Sequence, residues 1–595
     1  MTVDAGPTAV PAGPAAASTG RRSRIAPHLA TPSGLARVVA PVAWALVALA
    51  AAYGVVVRVW LLAHLPLNSD EAVVGLMGRA IAAGHPNTFY WGQQYGGAEP
   101  YPVALVLRVV NGGPMGLNGT AAVLAAVGAA LVGLAVAEAT RNRVVGALAG
   151  ALAWVWPYAV VWTSVRESGF REAVLCCGMA LVVCALRVHR RRAGWGTFAV
   201  LGLAAGVGWW ASPEIVYFVL PAAVLLVVSW GRLFAAGHRL DRPLRWQPPA
   251  VAVATAVVGA LPWIWTNVGT GFASLQAGSL PNTTGLDYGQ RLSVFFSDML
   301  PMQLGLRTVP GGGWVGGDRV GPVLYGLAGA VVLAALARAA LAVRRGRAAA
   351  PWLAVGVAVV AFPFVYALVP ASGYWEDGRY GVLLPPLVVL LLALALVRSP
   401  AGVAPRHVAR HARRAADGVP AGPSAVGSLA LLVGCAGLAV GGVLTVATAR
   451  AGGVPASPGS FFGGWTDPDA APRQVASAMA AHGIRYAYGN YWTAYDLDFI
   501  DPTRLAVSPS PHDVDRWPAM AARVAQAPRP AWLFFAPGHE AEATQAFGGN
   551  TDPGPGGLTE PQFLDLLRSD HVPYRVVHLG VLDAVVPARR VRLPG

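Results

Sequence analysis

"LNSDEAVVGLMGRAIAAGH", Leu67 to His85, follows an apolar run long enough to cross a bilayer and then sets two carboxylates, Asp70 and Glu71, side by side. A modest reading explains most of it. Asn68 can cap a helix, with Glu71 reaching back from the third helical position as in a capping box. Val73, Leu76, Met77, Ala80 and Ile81 then recur at helical spacing. This predicts a short amphipathic helix from Ala72 on, suited to lying in a membrane interface rather than crossing it. A cap needs one acceptor, however, and leaves Asp70 without a structural task. What the acidic pair can do depends on which side of a membrane it occupies.

The chain has 595 residues, of which 55% are hydrophobic and 12% charged, with a mean hydropathy of +0.51. Soluble domains carry about 25% charged residues, so the composition excludes an ordinary soluble protein and indicates many membrane spans. The net charge is +15, and every basic side chain other than His is Arg. A basic balance raises nucleic acid as a partner. Here the arginines cluster in short loops between apolar runs, where they read as a topology signal instead, and no nucleic acid is expected. Cys176, Cys177, Cys184 and Cys435 lie inside apolar runs, and no spacing forms a metal site.

A span takes roughly 20 apolar residues. Eleven runs qualify, at approximately 38–63, 118–138, 144–163, 171–188, 196–212, 214–231, 250–268, 321–343, 351–370, 380–397 and 425–448. With the N-terminus inside, the even-numbered turns carry Arg141 and Arg143; Arg187, Arg190, Arg191 and Arg192; Arg232, Arg239, Arg242 and Arg245; Arg344, Arg345 and Arg347; and Arg398, Arg406, Arg410, Arg413 and Arg414. Every inner turn is thus an Arg cluster, as the positive-inside rule requires. The expected fold is a polytopic α-helical membrane protein with about 11 transmembrane helices and a C-terminal extracytoplasmic α/β domain. Residues 1–36 read as a disordered cytoplasmic tail, 37–450 as the transmembrane domain with outer loops 64–117 and 269–320, and 451–595 as the outer domain. Asp70 and Glu71 are then extracytoplasmic, just beyond the first span. The Ala-, Gly-, Val- and Pro-rich composition points to a bacterium, and the plasma (inner) membrane is the expected location.

The first outer loop continues with "NTFYWGQQYGGAEPYP", Asn87 to Pro102. Tyr90, Trp91 and Tyr95 fit an interfacial aromatic belt, while the glycines beside Gln93 and Gln94 fit a close-packed polar surface. An acidic pair directly after span one, a short helix, and an aromatic, glycine-rich stretch together resemble the GT-C membrane glycosyltransferases. The likeness is to the protein O-mannosyltransferase and lipid A aminoarabinose transferase branch and covers roughly residues 38–450. Ser69-Asp70-Glu71 carries it most specifically. Gly378-Arg379-Tyr380 leading into Leu383-Leu384-Pro385 adds to it. The chain departs from aminoarabinose-type relatives in having Glu99-Pro100-Tyr101-Pro102 where they often have Lys-Pro-Pro.

The resemblance implies transfer of a mannose- or arabinose-like sugar, with inversion, from a polyprenyl-phosphate donor to an acceptor outside the cell, whether protein, lipid or cell-wall glycan. Phosphate departs without strong acid help, so the main need is a general base. Asp70 is the expected base, its pKa raised by a low-dielectric interface, and Glu71 is its expected neighbour in the catalytic pair. Arg binds phosphate oxygens bidentately, so Arg379, Arg166 and Arg171, with Tyr380, are the donor-phosphate candidates. Arg379 could equally pair with Glu376 or Asp377. Trp91, Gln93, Gln94, Tyr95, Glu99 and Glu214 are expected to line the substrate site. Asp70 and Glu71 alone are too few ligands for Mg²⁺ or Mn²⁺; some of the resembling enzymes use such an ion, and none is firmly expected here. In the second outer loop Asp298 precedes "MLP", and "VPGGGWVGGDR" reads as a mobile cover.

Past Arg450 the composition turns soluble. A helix over Arg473–Ala481, strands at 484–488, 532–535, 574–579 and 582–586, and helices near 513–525, 539–547 and 559–569 predict a small α/β domain. "YGNYWTAYDLDF", Tyr488 to Phe499, suits either a glycan-binding patch or a buried aromatic cluster. The domain is expected to recruit the acceptor or cover the site, without catalytic residues. A transporter or flippase of lipid-linked saccharide and a noncatalytic glycan-binding scaffold are the rival readings. A transporter needs ionisable or broken-helix sites near mid-membrane, whereas the acids here gather at span ends.

Overall fold

The computed structural model describes residues 34–396, apart from 111, 238–246, 277–283, 311 and 345–348, and residues 467–593, apart from 468, 512, 540–542 and 544–553. The candidate site lies within the compact unit Ala43–Gly595. The expected eleventh span, Cys435, the Arg398–Arg414 cluster and nearly all of the expected helix at 539–547 fall outside the described residues.

The membrane part is helical throughout: α1 (Gly34–His64), α2 (Ser69–Ala82), α3 (Pro100–Val110), α4 (Pro114–Thr140), α5 (Arg143–Val155), α6 (Tyr158–Thr163), α7 (Arg171–His189), α8 (Trp195–Ala211), α9 (Val216–Gly237), α10 (Gln247–Gly259), α11 (Leu261–Gly269), α12 (Ala273–Gln276), α13 (Tyr288–Val294), α14 (Leu300–Gln303), α15 (Gly317–Arg344), α16 (Ala350–Tyr366) and α17 (Leu384–Leu396). Ala40–His64, Pro114–Thr140, Arg171–His189, Pro213–Trp230 and Gly317–Arg344 are the 5 described helices long and apolar enough to cross a membrane; α10 and α11, bent by 58°, make a sixth if they form one span. The other expected spans among the described residues are shorter apolar helices. The run at 144–163 is broken because Pro157 has no backbone N–H to continue α5, so the chain restarts as α6. Val56, Leu105, Val123, Val227, Trp265 and Leu333 remain exposed, a surface that suits hydrocarbon.

Helix α2 departs from the expected interfacial role. Ser69, Glu71 and the run Ala72–Gly78 are buried, because α3 packs on one side and a helix of the C-terminal domain on the other. Its polar residues Ser69, Glu71 and Arg79 meet protein.

The C-terminal domain comprises α18 (Ala470–Ala481), β1 (Tyr486–Gly489), α19 (Tyr491–Ile500), β2 (Ala506–Pro509), α20 (Pro518–Gln526), β3 (Ala531–Phe535), α21 (Glu560–Ser569), β4 (Tyr574–His578) and β5 (Leu582–Pro587). The sheet order is β2-β1-β3-β5-β4; β1 runs parallel to β2 and β3, and β5 lies antiparallel between β3 and β4. Four of the strands match the sequence expectation. β2 escaped it, being a four-residue run ended by proline. Both faces of the sheet are covered, one by Val475, Met479 and Leu497 and the other by Phe563, Leu567 and Val524.

Candidate active site

The site starts from the first turn of α2. The Asn68 side chain accepts from the Asp70 backbone N–H at 2.8 Å, and the Glu71 carboxylate takes the Asn68 backbone N–H. The pair thus caps the helix much as a capping box does, with the Asn68 bond one residue earlier than the motif places it. Being adjacent on a helix, the two acids point in different directions.

Glu71 points inward and is 3% exposed. One of its oxygens lies 2.6 Å from Arg166 Nε, and the other accepts from Asn118 Nδ2 at 2.8 Å. Burial raises its carboxyl pKa, and Arg166 and Asn118 only partly offset that. Both Glu71 and Arg166, expected in catalysis and at the donor phosphate, are taken up by each other.

Asp70 points the other way and keeps 30% of its side-chain surface open. Its Oδ2 lies 3.1 Å from Arg379 Nη1, and its Oδ1 accepts from the Tyr491 hydroxyl at 2.6 Å. Its backbone carbonyl accepts from Tyr90 Oη at 3.0 Å. Burial alone would raise the Asp70 pKa, but Arg379, Tyr491 and Arg516 together bring it below its ordinary 3.8. This corrects the expectation of a raised value: the interface is not a bare low-dielectric medium but carries cations and a donor aimed at the carboxylate.

Arg379 sits after a tight turn. Gly378 has φ +71°, and a Cβ there would come within 2.9 Å of Met302 Sδ, so only glycine fits without strain. The Gly378 carbonyl accepts from Gln303 Nε2 at 2.8 Å, tying this turn to the end of α14. Asp377 lies 3.1 Å from Arg379 Nε, so Arg379 pairs with its sequence neighbour and with Asp70 at once. These carboxylates hold it charged, its pKa well above the ordinary value despite burial.

Arg379 and Arg171 converge on one ring: their guanidinium carbons lie 5.2 and 5.0 Å from the centroid of Tyr380. Arg171 is 5% exposed and lies 4.6 Å from the Phe170 ring centroid. Its Nε is without a hydrogen-bond partner, and among the described residues no carboxylate comes within ion-pair distance of it. Glu214, at the start of the helical turn capped by Ser212, lies within electrostatic reach of Arg171 and Arg379. Tyr95 packs edge-on against Phe170 at 5.3 Å and feels Tyr380, Glu214, Arg171 and Arg516.

The remaining expected residues divide. Gln93 lies between Tyr95 Oη and Arg516, 3.2 Å from each. Trp91 donates to Asn87 at 2.8 Å and stacks on Trp517 with centroids 4.8 Å apart. Gln94 is exposed. Glu99 is wholly buried, accepts from Ala173 N–H at 2.5 Å and shares a hydrogen bond with Glu167; burial raises its pKa. It braces the helix start of α7 and does not line the site. Trp314, in the stretch expected to be a mobile cover, has its ring centroid 4.3 Å from the guanidinium carbon of Arg307, which pairs with Asp298 at 2.7 Å, so that stretch is anchored at Trp314.

Sequence reasoning offered Tyr491 only as part of a glycan-binding or buried aromatic stretch, and missed Arg516; both come from the C-terminal domain. Arg516 lies 5.6 Å from the Tyr90 ring centroid and 5.8 Å from that of Tyr491. The aromatic stretch around Tyr491 was visible, but nothing in it pointed to a partner 421 residues away. A divalent cation does not fit the acidic pair, because Asp70 is engaged by Arg379 and Tyr491 and Glu71 by Arg166 and Asn118.

No family model and no curated protein matches the chain. Solved structures do. The apo form of ArnT from Cupriavidus metallidurans aligns at a TM-score of 0.52 with 16% identity, over 92% of this chain and 98% of that one. The undecaprenyl phosphate-bound form of ArnT aligns at 0.48 with 16% identity, over 91% and 97%. The archaeal oligosaccharyltransferase AglB from Archaeoglobus fulgidus, in complex with an inhibitory peptide and a dolichol-phosphate, aligns at 0.42 with 13% identity, over 85% and 71%. At such identities the likeness is one of fold: over 92% of its length the chain shares the fold of ArnT from Cupriavidus metallidurans.

Proposed function

We propose that this chain is an integral membrane glycosyltransferase. It moves a mannose- or arabinose-like sugar from a polyprenyl-phosphate donor to a hydroxyl acceptor, protein, lipid or cell-wall glycan, on the outer face of a bacterial plasma membrane. The observation that carries the reading is the Asp70–Arg379 pair, in which residues 309 positions apart meet at 3.1 Å. A carboxylate suited to accept a proton thus lies against a cation suited to hold phosphate.

In this reading the donor's phosphate lies at Arg379 and Arg171 around Tyr380. Guanidinium groups stabilise the charge that develops as the sugar–phosphate bond breaks. Arg171 is the stronger anchor because no carboxylate is within ion-pair distance of it among the described residues. The acceptor oxygen attacks the anomeric carbon opposite the departing phosphate, and Asp70 takes its proton. One such displacement inverts the anomeric centre. Glu71 and Arg166 hold the first turn of α2 and thereby aim Asp70. Tyr95, Gln93 and Glu214 contact the sugar.

The test supplies purified protein in lipid nanodiscs with radiolabelled polyprenyl-phosphate mannose or arabinose, and bacterial envelope fractions as acceptor. Transfer of label with inverted configuration supports the reading. Retention of configuration, or no donor consumption with either sugar, contradicts it.

A further inference from the structure

The Tyr491 hydroxyl occupies the position an acceptor hydroxyl would need. A general base must lie about 2.6–3.2 Å from the oxygen whose proton it takes, and Tyr491 Oη is 2.6 Å from Asp70 Oδ1. The other Asp70 oxygen is engaged by Arg379 at 3.1 Å. Tyr491 thus holds one of the hydrogen-bond positions of Oδ1 at the distance an acceptor hydroxyl would need.

Tyr491 is firmly mounted. It is the first residue of α19, whose start Asn490 caps by accepting from Thr493 N–H at 2.9 Å. Its ring packs edge-on against Trp492 and Tyr495, with centroids 4.8 and 5.3 Å away. Arg516 hydrogen-bonds to it and reaches the first loop through the Gly92 carbonyl at 3.4 Å. Burial and the neighbouring Asp70 charge push its phenol pKa well above 10. The phenol therefore stays protonated: it is a donor to Asp70, not a relay that could accept the proton and pass it on.

We infer that Tyr491 is a stand-in for the acceptor: its hydroxyl holds Asp70 Oδ1 until the acceptor hydroxyl displaces it, and so keeps that oxygen from taking a proton from water. This inference rests on the transferase reading. Water in that place would bond to the anomeric carbon and give its proton to Asp70. The sugar–phosphate bond would break with its electron pair on the polyprenyl phosphate, releasing free sugar. Displacement of Tyr491 also removes one of the hydrogen bonds that weaken Asp70 as a base, so the carboxylate gains strength when an acceptor is present.

The experiment compares wild type, Tyr491→Phe, Asp70→Asn and the double variant in nanodiscs. Each is given labelled polyprenyl-phosphate mannose or arabinose without acceptor, and release of free sugar is measured. Phe keeps the edge-on packing and removes only the hydroxyl. Release should rise about tenfold in Tyr491→Phe, the loss of one charge-assisted hydrogen bond, and return to background in the double variant. Equal or slower release in Tyr491→Phe overturns the inference. A second readout stands apart from turnover: carbodiimide labelling of the Asp70 carboxyl, located by mass spectrometry. Labelling should rise severalfold in Tyr491→Phe. If no variant consumes donor, the transferase reading fails, and this readout still decides whether Tyr491 covers Asp70; unchanged labelling overturns that too.

Discussion

Asp70 and Glu71 are neighbours with opposite tasks, and single substitutions should separate them. Glu71→Ala leaves the Arg166 guanidinium, 11% exposed, without its carboxylate. Removing one partner of a buried pair costs about 3–5 kcal/mol, so the Tm in detergent should fall sharply, while Asp70→Asn, at a side chain 30% open, should lower it less. Glu99 offers a pH signature. Its folded pKa is raised above about 4.5 by burial, so the stability it contributes is fully present below that value and lost as pH rises through the folded pKa. Glu99→Gln should flatten the decline of Tm with pH on the alkaline side of 4.5; an unchanged slope would place its proton elsewhere. Arg171→Met should raise the KM for donor more than Arg166→Met does, since Arg166 already has a carboxylate partner.

The helical elements were readable from length and hydropathy, and the capped start of α2 from four residues. The environment of α2 was not. Its apolar stripe predicts a buried face without naming the cover, and the cover comes from a helix more than 400 positions later. Three contacts fix that match. The Ser69 hydroxyl donates to the Trp492 carbonyl at 2.8 Å, Arg79 lies 4.0 Å from the Phe499 ring centroid, and a Cβ on Gly75 would come within 2.3 Å of that ring. Gly75→Leu should therefore wedge α19 off α2. Hydrogen exchange across residues 491–500 should accelerate, with the first turn of α2 less affected. Protection equal to wild type would show that the two helices tolerate separation.

At the scale of the molecule, the sequence carried the class of fold, because Arg clusters and apolar runs are local patterns. It pointed to part of the candidate site. Asp70 and Arg379 were visible as types at telling positions, whereas the lowered Asp70 pKa, the Tyr491 contact and the burial of Glu99 depend on what three-dimensional packing brings alongside. The C-terminal domain, expected to cover or recruit, also places a hydroxyl on the candidate base. The central claim is that Asp70 is the general base of a sugar transfer. Its most direct test is the single-turnover rate of donor consumption by Asp70→Asn against wild type, both in nanodiscs with saturating labelled donor and the same envelope fraction. Loss of a positioned base lowers the rate about 10²–10⁴-fold at saturating donor, and that loss is expected from a variant that stays folded. A variant that consumes donor at the wild-type rate would contradict the account.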